Sequence, residues 1–206
     1  MVDALLFDLG GVVIDIDFGR ALRAWADAAR VPVPQIAERF CFDAPYEAHE
    51  RGEIGPDEYC AHLRAALGLP LADDELLAGW NRIFVGPVPG MQGLLERLRH
   101  RYPLYAFSNT NHAHLGYWQP RYASLLSPFS AVYCSCEIGA RKPEVEAFLE
   151  VARRMGVSPG RIAFFDDHAA NVLGARKAGL LAHEAHSVAQ VREALSQWGI
   201  RLGEAG

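Results

Sequence analysis

Four short stretches of the sequence hold residues that can do chemistry together. Asp8 closes an apolar run over residues 2–7, and Gly10 and Gly11 follow at once. Ser108-Asn109 closes the run 104–107, Arg141-Lys142 precedes Pro143, and Asp166-Asp167 closes the run 162–165. Three carboxylates, Asp8, Asp166 and Asp167, form a hard oxygen set of the kind that suits Mg²⁺, an ion usually held by a few carboxylates with waters and substrate phosphate. Ser108 and Asn109 can donate hydrogen bonds to phosphate oxygens, and Lys142 supplies a point positive charge for phosphoryl oxygens. Gly10 and Gly11 carry no Cβ, so the backbone beside Asp8 can turn sharply and come close to a ligand. Each stretch alone has a plainer reading. Asp8 and Ser108-Asn109 suit turns, either aspartate of 166–167 suits a helix N-cap, and Lys142 suits a solvated loop. The plainer readings do not explain why the groups recur at successive strand ends.

The elements that must position these residues can be read from hydrophobic periodicity. The nearly uniform apolar run 2–7 suits a strand buried on both faces of a parallel sheet, and such sheets gather ligand chemistry just beyond the carboxyl ends of their strands. From residue 86 onward helices and strands alternate. A helix bearing Met91, Leu94, Leu95 and Leu98 precedes a strand at 104–107, a helical segment at 112–126 and a short strand at 131–135. A helix from Pro143 to Met155, stopped by Gly156, leads to a strand at 162–165; a helix over 168–178, a strand at 180–183 and a last helix with Val188, Val191, Leu195 and Trp198 complete the series. This alternation implies an α/β fold, with right-handed crossovers and helices on both faces of a parallel sheet.

Residues 16–85 have a different texture, with helical spacing and no expected strand. Leu22, Trp25, Ala26 and Ala29 share one helix face, ended by Pro32 and Pro34, and a second helix runs through the 30s. Gly55-Pro56-Asp57 starts a helix carrying Tyr59, Leu63, Ala66 and Leu67, with Gly68 as its stop. Asp73 is the expected N-cap of the next, whose apolar face is Leu76, Leu77, Trp80, Ile83 and Phe84. The expected organisation is therefore an α/β core from residues 1–15 and 86–206, with a helical unit over 16–85 inserted after the first strand.

Composition narrows the partners. The chain has 206 residues, half of them hydrophobic, and a formal charge of −5, which gives no electrostatic footprint for nucleic acid or an anionic membrane. It shows no apolar run of spanning length and no charged leader ahead of the first strand, so a soluble, cytoplasmic protein is expected. Four scattered cysteines are too few for a disulfide framework. Cys134-Ser135-Cys136 on its own is a weak half of a metal site, and reduced, mostly buried thiols are the expectation.

The stretches Asp8-Leu9-Gly10-Gly11-Val12, Phe107-Ser108-Asn109-Thr110-Asn111, Arg141-Lys142-Pro143 and Phe165-Asp166-Asp167 resemble, in order and spacing, the four motifs of the haloacid dehalogenase (HAD) superfamily. The helical insert resembles that superfamily's C1-type cap. Residues 8–18, His49-Glu50-Arg51-Gly52-Glu53-Ile54 and 164–174 are similar to its bacterial α-D-glucose-1-phosphate phosphatases. The resemblance implies an HAD-like Rossmannoid core with a mobile cap, and a Mg²⁺-dependent phosphomonoester hydrolase acting on a small phosphorylated metabolite. Asp8 would be the nucleophile that forms an aspartyl-phosphate. Mg²⁺ would sit on the Asp8 carboxylate, the Gly10 carbonyl and Asp167, with Asp166 helping directly or through water. Ser108 and Asn109 would hold the phosphoryl group, and Lys142 would balance charge on it and on Asp8.

One position departs from the superfamily pattern. A second aspartate usually stands two residues after the nucleophile as general acid and base, and here that residue is Gly10. General acid–base help is worth about 10²–10⁴-fold, so its loss favours a leaving group that needs little protonation, such as the hemiacetal oxygen of a sugar 1-phosphate. A side chain from elsewhere is the alternative, with His49, Glu50, His112 and His114 as candidates, whereas Asp15 and Asp17 suit the turn into the insert. Two rival readings remain at this stage. One is a catalytically disabled scaffold kept for binding or regulation; the other is a metal-independent 2-haloacid dehalogenase, for which paired Asp166-Asp167 would be superfluous.

Overall fold

A computed structural model describes residues 2–202; Met1 and residues 203–206 of the expected core stretch lie outside it. In chain order the elements are β1 (Ala4–Phe7), β2 (Ile14–Ile16), α1 (Phe18–Ala29), α2 (Val33–Ala37), α3 (Ala44–Glu50), α4 (Pro56–Leu67), α5 (Asp73–Trp80), β3 (Phe84–Pro87), α6 (Met91–Arg99) and β4 (Leu104–Ser108). They continue with α7 (His112–Arg121), α8 (Ala123–Leu126), β5 (Ala131–Cys134), α9 (Ser135–Ile138), α10 (Val145–Met155), β6 (Ile162–Asp166), α11 (Ala169–Lys177), β7 (Leu181–Glu184) and α12 (Val188–Gln197). Among these, no helix is long and apolar enough to cross a membrane.

Five strands form one parallel sheet in the order β5-β4-β1-β6-β7, with β1 at its centre. Alternate side chains enter two separate cores, which is why β1 reads as an unbroken apolar run. Leu5, Phe7, Ala106 and Phe165 pack under α6, α7 and α12, with Leu94, Trp118 and Leu195. Ala4, Leu6, Phe107 and Phe164 pack under α10 and α11, with Phe148, Val151 and Val172. Fully burying one such side chain contributes roughly 1.5–3 kcal/mol. The register then sets the site: Phe7 pairs with Ala106 and with Phe165, so the ends of β1, β4 and β6 fall level with one another.

The helices α1 to α5 build a third core around Trp25, Tyr59, Leu63 and Trp80. The Trp25 and Trp80 rings stack at 5.6 Å, and the Trp25 indole N–H donates to the Leu76 carbonyl, at 2.9 Å. Gly79 leaves the space that the Trp25 ring occupies.

Several expectations for this stretch need correction. Strands do border it: β2 and β3 pair antiparallel, Ile14 with Pro87 and Ile16 with Phe84. Three and four residues are too few to show alternation, and the pair exists because tertiary contact brings its halves together. It sets the two connections of the helical stretch side by side. Helix α3 was not anticipated, although Asp43 caps it by accepting from the Tyr46 N–H and Pro45 sits in its first turn. Asp73 is not an N-cap; Ala72 holds that position, and the Glu75 carboxylate accepts its N–H while Asp73 pairs with Arg64. Asp17 does cap α1, accepting from the Gly19 N–H at 2.8 Å.

Two corrections bear on the site. Helix α10 starts at Val145 rather than Pro143, because residues 141–144 form a turn in which the Glu144 N–H donates to the Arg141 carbonyl. The strand expected over 131–135 ends at Cys134, and Ser135 instead begins the short helix α9.

Candidate active site

The carboxyl edge of the sheet brings the expected side chains together in a cavity of about 480 Å³, lined by Asp8, Gly10, Ser108, Asn109, Lys142 and Asp167 among others. Lys142 is the pivot. Its ammonium lies 2.8 Å from Asp8 Oδ1 and 2.7 Å from Asp166 Oδ2 and 5.5 and 5.6 Å from the ring centroids of Phe107 and Phe164, and the side chain is only 1 % exposed. Burial alone would lower its pKa, but Asp166 and Asp8 together raise it, so the group stays charged. A buried ammonium is tolerable only with such partners.

Each partner is held in turn. Asp8 Oδ1 accepts the Leu9 N–H at 2.6 Å. Asp166 accepts from the His168 N–H at 2.8 Å and from the Asn171 side-chain amide at 3.0 Å. Asp166 is thus fully enclosed by Lys142, His168 and Asn171, whereas Asp167 lines the cavity.

Asn109 does something the sequence did not suggest. Its side-chain amide donates to the Lys142 carbonyl and accepts the Lys142 N–H, both at 2.9 Å. That side chain therefore fixes the backbone that aims Lys142, leaving the Ser108 hydroxyl, whose nearest intramolecular partner is 3.4 Å away, as the more available group. Ser135 of α9 steadies the same edge: its hydroxyl accepts the Thr110 N–H at 2.8 Å and donates to the Thr110 carbonyl at 2.9 Å.

The donor set fits a hard divalent cation. Asp8, Asp166 and Asp167 can each offer an oxygen within 4.8 Å of the others. Burial pushes the Asp8 carboxyl well above the ordinary carboxylate value; Lys142 opposes this, and Asp166 and Asp167 add to it. Burial, then Asp166, likewise raise Asp167. Three facing carboxyl groups against one ammonium leave negative charge that a dication would offset. The backbone allows it: Gly11 has φ of +79°, and a Cβ there would run into the Asp167 carboxylate. Gly10 also lines the cavity, and a Cβ on it would lie 3.0 Å from Ile16 Cδ1, so Ile16 occupies the side chain's direction.

Of the four candidate acids, Glu50 lines this cavity, and His114 lines a smaller adjoining one that shares Gly10, Glu50 and Ser108 with it. Glu50 is buried on α3 and accepts from the Tyr46 hydroxyl at 2.7 Å and from Arg141 Nε at 2.8 Å. Burial raises its pKa, against the pull of Arg141. His112 is exposed and off the cavity. His114 is buried between Asn111 and Trp80 and pushed down to about 3 by burial. His49 is fully buried, stacked on Tyr59 at 4.4 Å, with no hydrogen-bond partner for either ring nitrogen among the described residues. Burial lowers it from 6.5 to about 4, and His112 adds to this.

A folded pKa below the unfolded one means the unfolded chain takes up the proton first. Stability is then present near neutral pH and is lost as pH falls from about 6.5 to about 4, by up to about 3 kcal/mol for His49. Urea denaturation at pH 7 and pH 4.5 should show a smaller loss in His49→Phe than in the wild type; equal losses would sink the assignment.

Sequence reading missed the residues that complete the cavity wall: Phe18, Phe42 and Tyr46 from the helical stretch, and His168 and Asn171 at the start of α11. The Asp43-Ala44-Pro45 cap signal would have located α3 and with it Tyr46. Nothing local marks Phe42. The Cys134 and Cys136 thiols are buried and both are pushed up by burial, Cys136 to about 11, as inert thiols are.

The geometry has counterparts among known proteins. The chain is 24% identical over 201 residues to D-ribitol-5-phosphate phosphatase of Bacteroides thetaiotaomicron, covering 95% of this chain and 98% of that one. It is 30% identical over 220 residues to Phosphatase MT3486 of Mycobacterium tuberculosis, covering 100% and 99%. Its fold matches the crystal structure of a HAD family enzyme from Bacteroides thetaiotaomicron, in complex with magnesium and inorganic phosphate, with a TM-score of 0.78 at 30% identity over 89% of this chain and 94% of that one. The sequence pattern of the haloacid dehalogenase-like hydrolases matches residues 2–179, so this chain, with its parallel sheet and its carboxylate–lysine edge, belongs to that hydrolase family.

Proposed function

We propose that the protein is a Mg²⁺-dependent phosphomonoester hydrolase that works through an aspartyl-phosphate on Asp8. The observation that carries this reading is the Asp8–Lys142–Asp166 arrangement beside Asp167, in one cavity with Ser108. Relatives named as phosphatases and a similar fold crystallised with magnesium and phosphate support it.

Asp8, Asp167 and the Gly10 carbonyl would hold the ion, with Asp166 behind them; bound there, it would neutralise charge between the anionic nucleophile and the anionic substrate. Asp8 attacks phosphorus and the ester oxygen leaves, which divides one difficult displacement into two easier ones. Lys142 balances charge on Asp8 and on the transferring group. Ser108 and the backbone beside it orient the phosphoryl oxygens, and Asn109 keeps Lys142 in place. Water then attacks the phosphorus of the acyl phosphate and frees Asp8. Residues 16–85 act as the cap that closes over this chemistry, and α3 is tied to the Lys142 loop by Arg141 with Glu50 and by Arg51 with Glu144.

The substrate we propose is a small sugar phosphate, with α-D-glucose 1-phosphate the first candidate, because Gly10 supplies no proton and an anomeric oxygen leaves more readily than an ordinary alcohol. Phosphate release from glucose 1-phosphate with Mg²⁺ should exceed that from glucose 6-phosphate by about tenfold or more, a part of the usual worth of acid catalysis. EDTA should abolish release and Mg²⁺ should restore it. Equal turnover of the two esters would overturn the substrate preference, and activity that survives EDTA would overturn the metal-dependent mechanism.

A further inference from the structure

The part of the cavity lined by the helical stretch is apolar and aromatic apart from Glu50. Phe18 and Phe42 meet edge to face at 5.1 Å, and Phe42 meets Tyr46 in the same way at 4.9 Å. Ile16 continues the surface toward Gly10. Phe42 is 57 % exposed even though it is packed into this cluster. A large ring held open to water at a cavity wall is a surface that an apolar face of a ligand would cover favourably.

The polar groups on the same side are already engaged with one another. The Tyr46 hydroxyl donates to Glu50 Oε1, and Arg141 Nε donates to Glu50 Oε2. Arg141 Nη1 pairs with Glu47 at 3.1 Å, and Arg51 joins Glu47 to Glu144. A flexible polyol entering here would reach the lone pairs left on Glu50 with some of its hydroxyls but bury others against the aromatic rings, and a buried unsatisfied hydroxyl is costly. A ring can instead lay one face on the aromatic wall and keep its polar edge toward the open side.

We propose that the substrate's leaving group is a ring-bearing alcohol packed by one face against Phe18, Phe42 and Tyr46, so that the pocket selects for the ring face and not for its hydroxyl pattern. This rests on the phosphomonoesterase reading above and narrows its substrate class. A wall that offers contact area but few free donors cannot strongly reject a stereoisomer, whereas a wall built to hydrogen-bond hydroxyls rejects a wrong one by orders of magnitude.

The test is phosphate release from a panel of esters with Mg²⁺. The α-D-glucose, α-D-galactose and α-D-mannose 1-phosphates should have kcat/KM values within about tenfold of one another. Benzyl phosphate and D-ribitol 5-phosphate are both esters of primary alcohols, one cyclic and one acyclic. The benzyl ester should be favoured by about tenfold or more, chiefly through KM. In Phe42→Ser the benzyl-to-ribitol ratio should fall toward one; the wild-type comparison stands by itself should that variant not fold. A preference of about a hundredfold for one epimer would overturn the inference, as would a ribitol ester used as well as the benzyl ester, or a ratio unchanged in Phe42→Ser. Each of these outcomes leaves the phosphatase reading intact. Release from none of the esters would overturn that reading, and the inference with it.

Discussion

Asp8→Asn is expected to lower phosphate release by about 10⁴-fold or more, as loss of a covalent nucleophile does, while the protein stays folded. The expectation separates chemistry from architecture because of where Asp8 sits. Burial holds its carboxyl well above the ordinary value, so the ionised form is disfavoured in the fold and its contribution to stability is lost as pH rises through the folded pKa. An uncharged, nearly isosteric amide relieves that cost. Lys142 keeps Asp166 as a partner at 2.7 Å. Melting temperature in Asp8→Asn should therefore equal or exceed that of the wild type, a trade of activity against stability. Residual activity of a few per cent would rule out Asp8 as nucleophile. A lowered melting temperature would instead mean that the charge is structural.

Lys142→Met should do the opposite to stability. Methionine keeps an unbranched stem like that of lysine, but it leaves Asp8 and Asp166 facing each other without a cation. Removing one partner of a buried ion pair costs about 3–5 kcal/mol, which for a chain of this size lowers the melting temperature by about 10 °C. Two further signs identify the cause. The Asp8 carboxyl can take up a proton, so the deficit should shrink as pH is lowered, because a group with a raised folded pKa loses its stabilising contribution as pH rises. The Lys142→Met, Asp166→Asn double variant should recover part of the lost stability. Thermal scans of the wild type, the single and the double variant over a pH series would decide; a single variant as stable as the wild type would show that Lys142 is not the counter-charge of the site. Activity should fall as well, because the phosphoryl group and Asp8 both lose their fixed positive neighbour.

These two expectations differ because the same three side chains carry different parts of the energetics. Asp8 is held where burial disfavours its ionised form, Asp166 is satisfied by Lys142, His168 and Asn171, and Lys142 makes the pair of carboxylates tolerable. Asn109 completes the unit through the Lys142 backbone.

Much of this was legible from residue types alone. Apolar runs of strand length mark β1, β4 and β6 because both faces of a parallel sheet are buried, and this leaves no polar alternation to blur the signal. Polar residues that stop those runs mark the site, since parallel strands place their carboxyl ends side by side. Asp8, Ser108, Lys142 and Asp167 thus emerge from order and spacing, and the helical character of residues 16–85 from 3.6-residue periodicity.

Other features depended on contacts that no local window contains. β2 and β3 stabilise each other across about seventy residues of chain, so neither is a strand by its own sequence. The orientation of Asn109 toward Lys142 is fixed by hydrogen bonds to a residue 33 positions away, not by its neighbours in sequence. Whether His49, Glu50 or His114 faces the cavity was likewise undecidable from spacing, because helical periodicity gives a face but not what that face meets. The sequence by itself determined the sheet, its polar edge and the chemical types gathered there. The tertiary structure alone decided which of those groups pair with one another and which remain turned toward a substrate, because pairing depends on distances of a few ångströms between residues far apart in the chain.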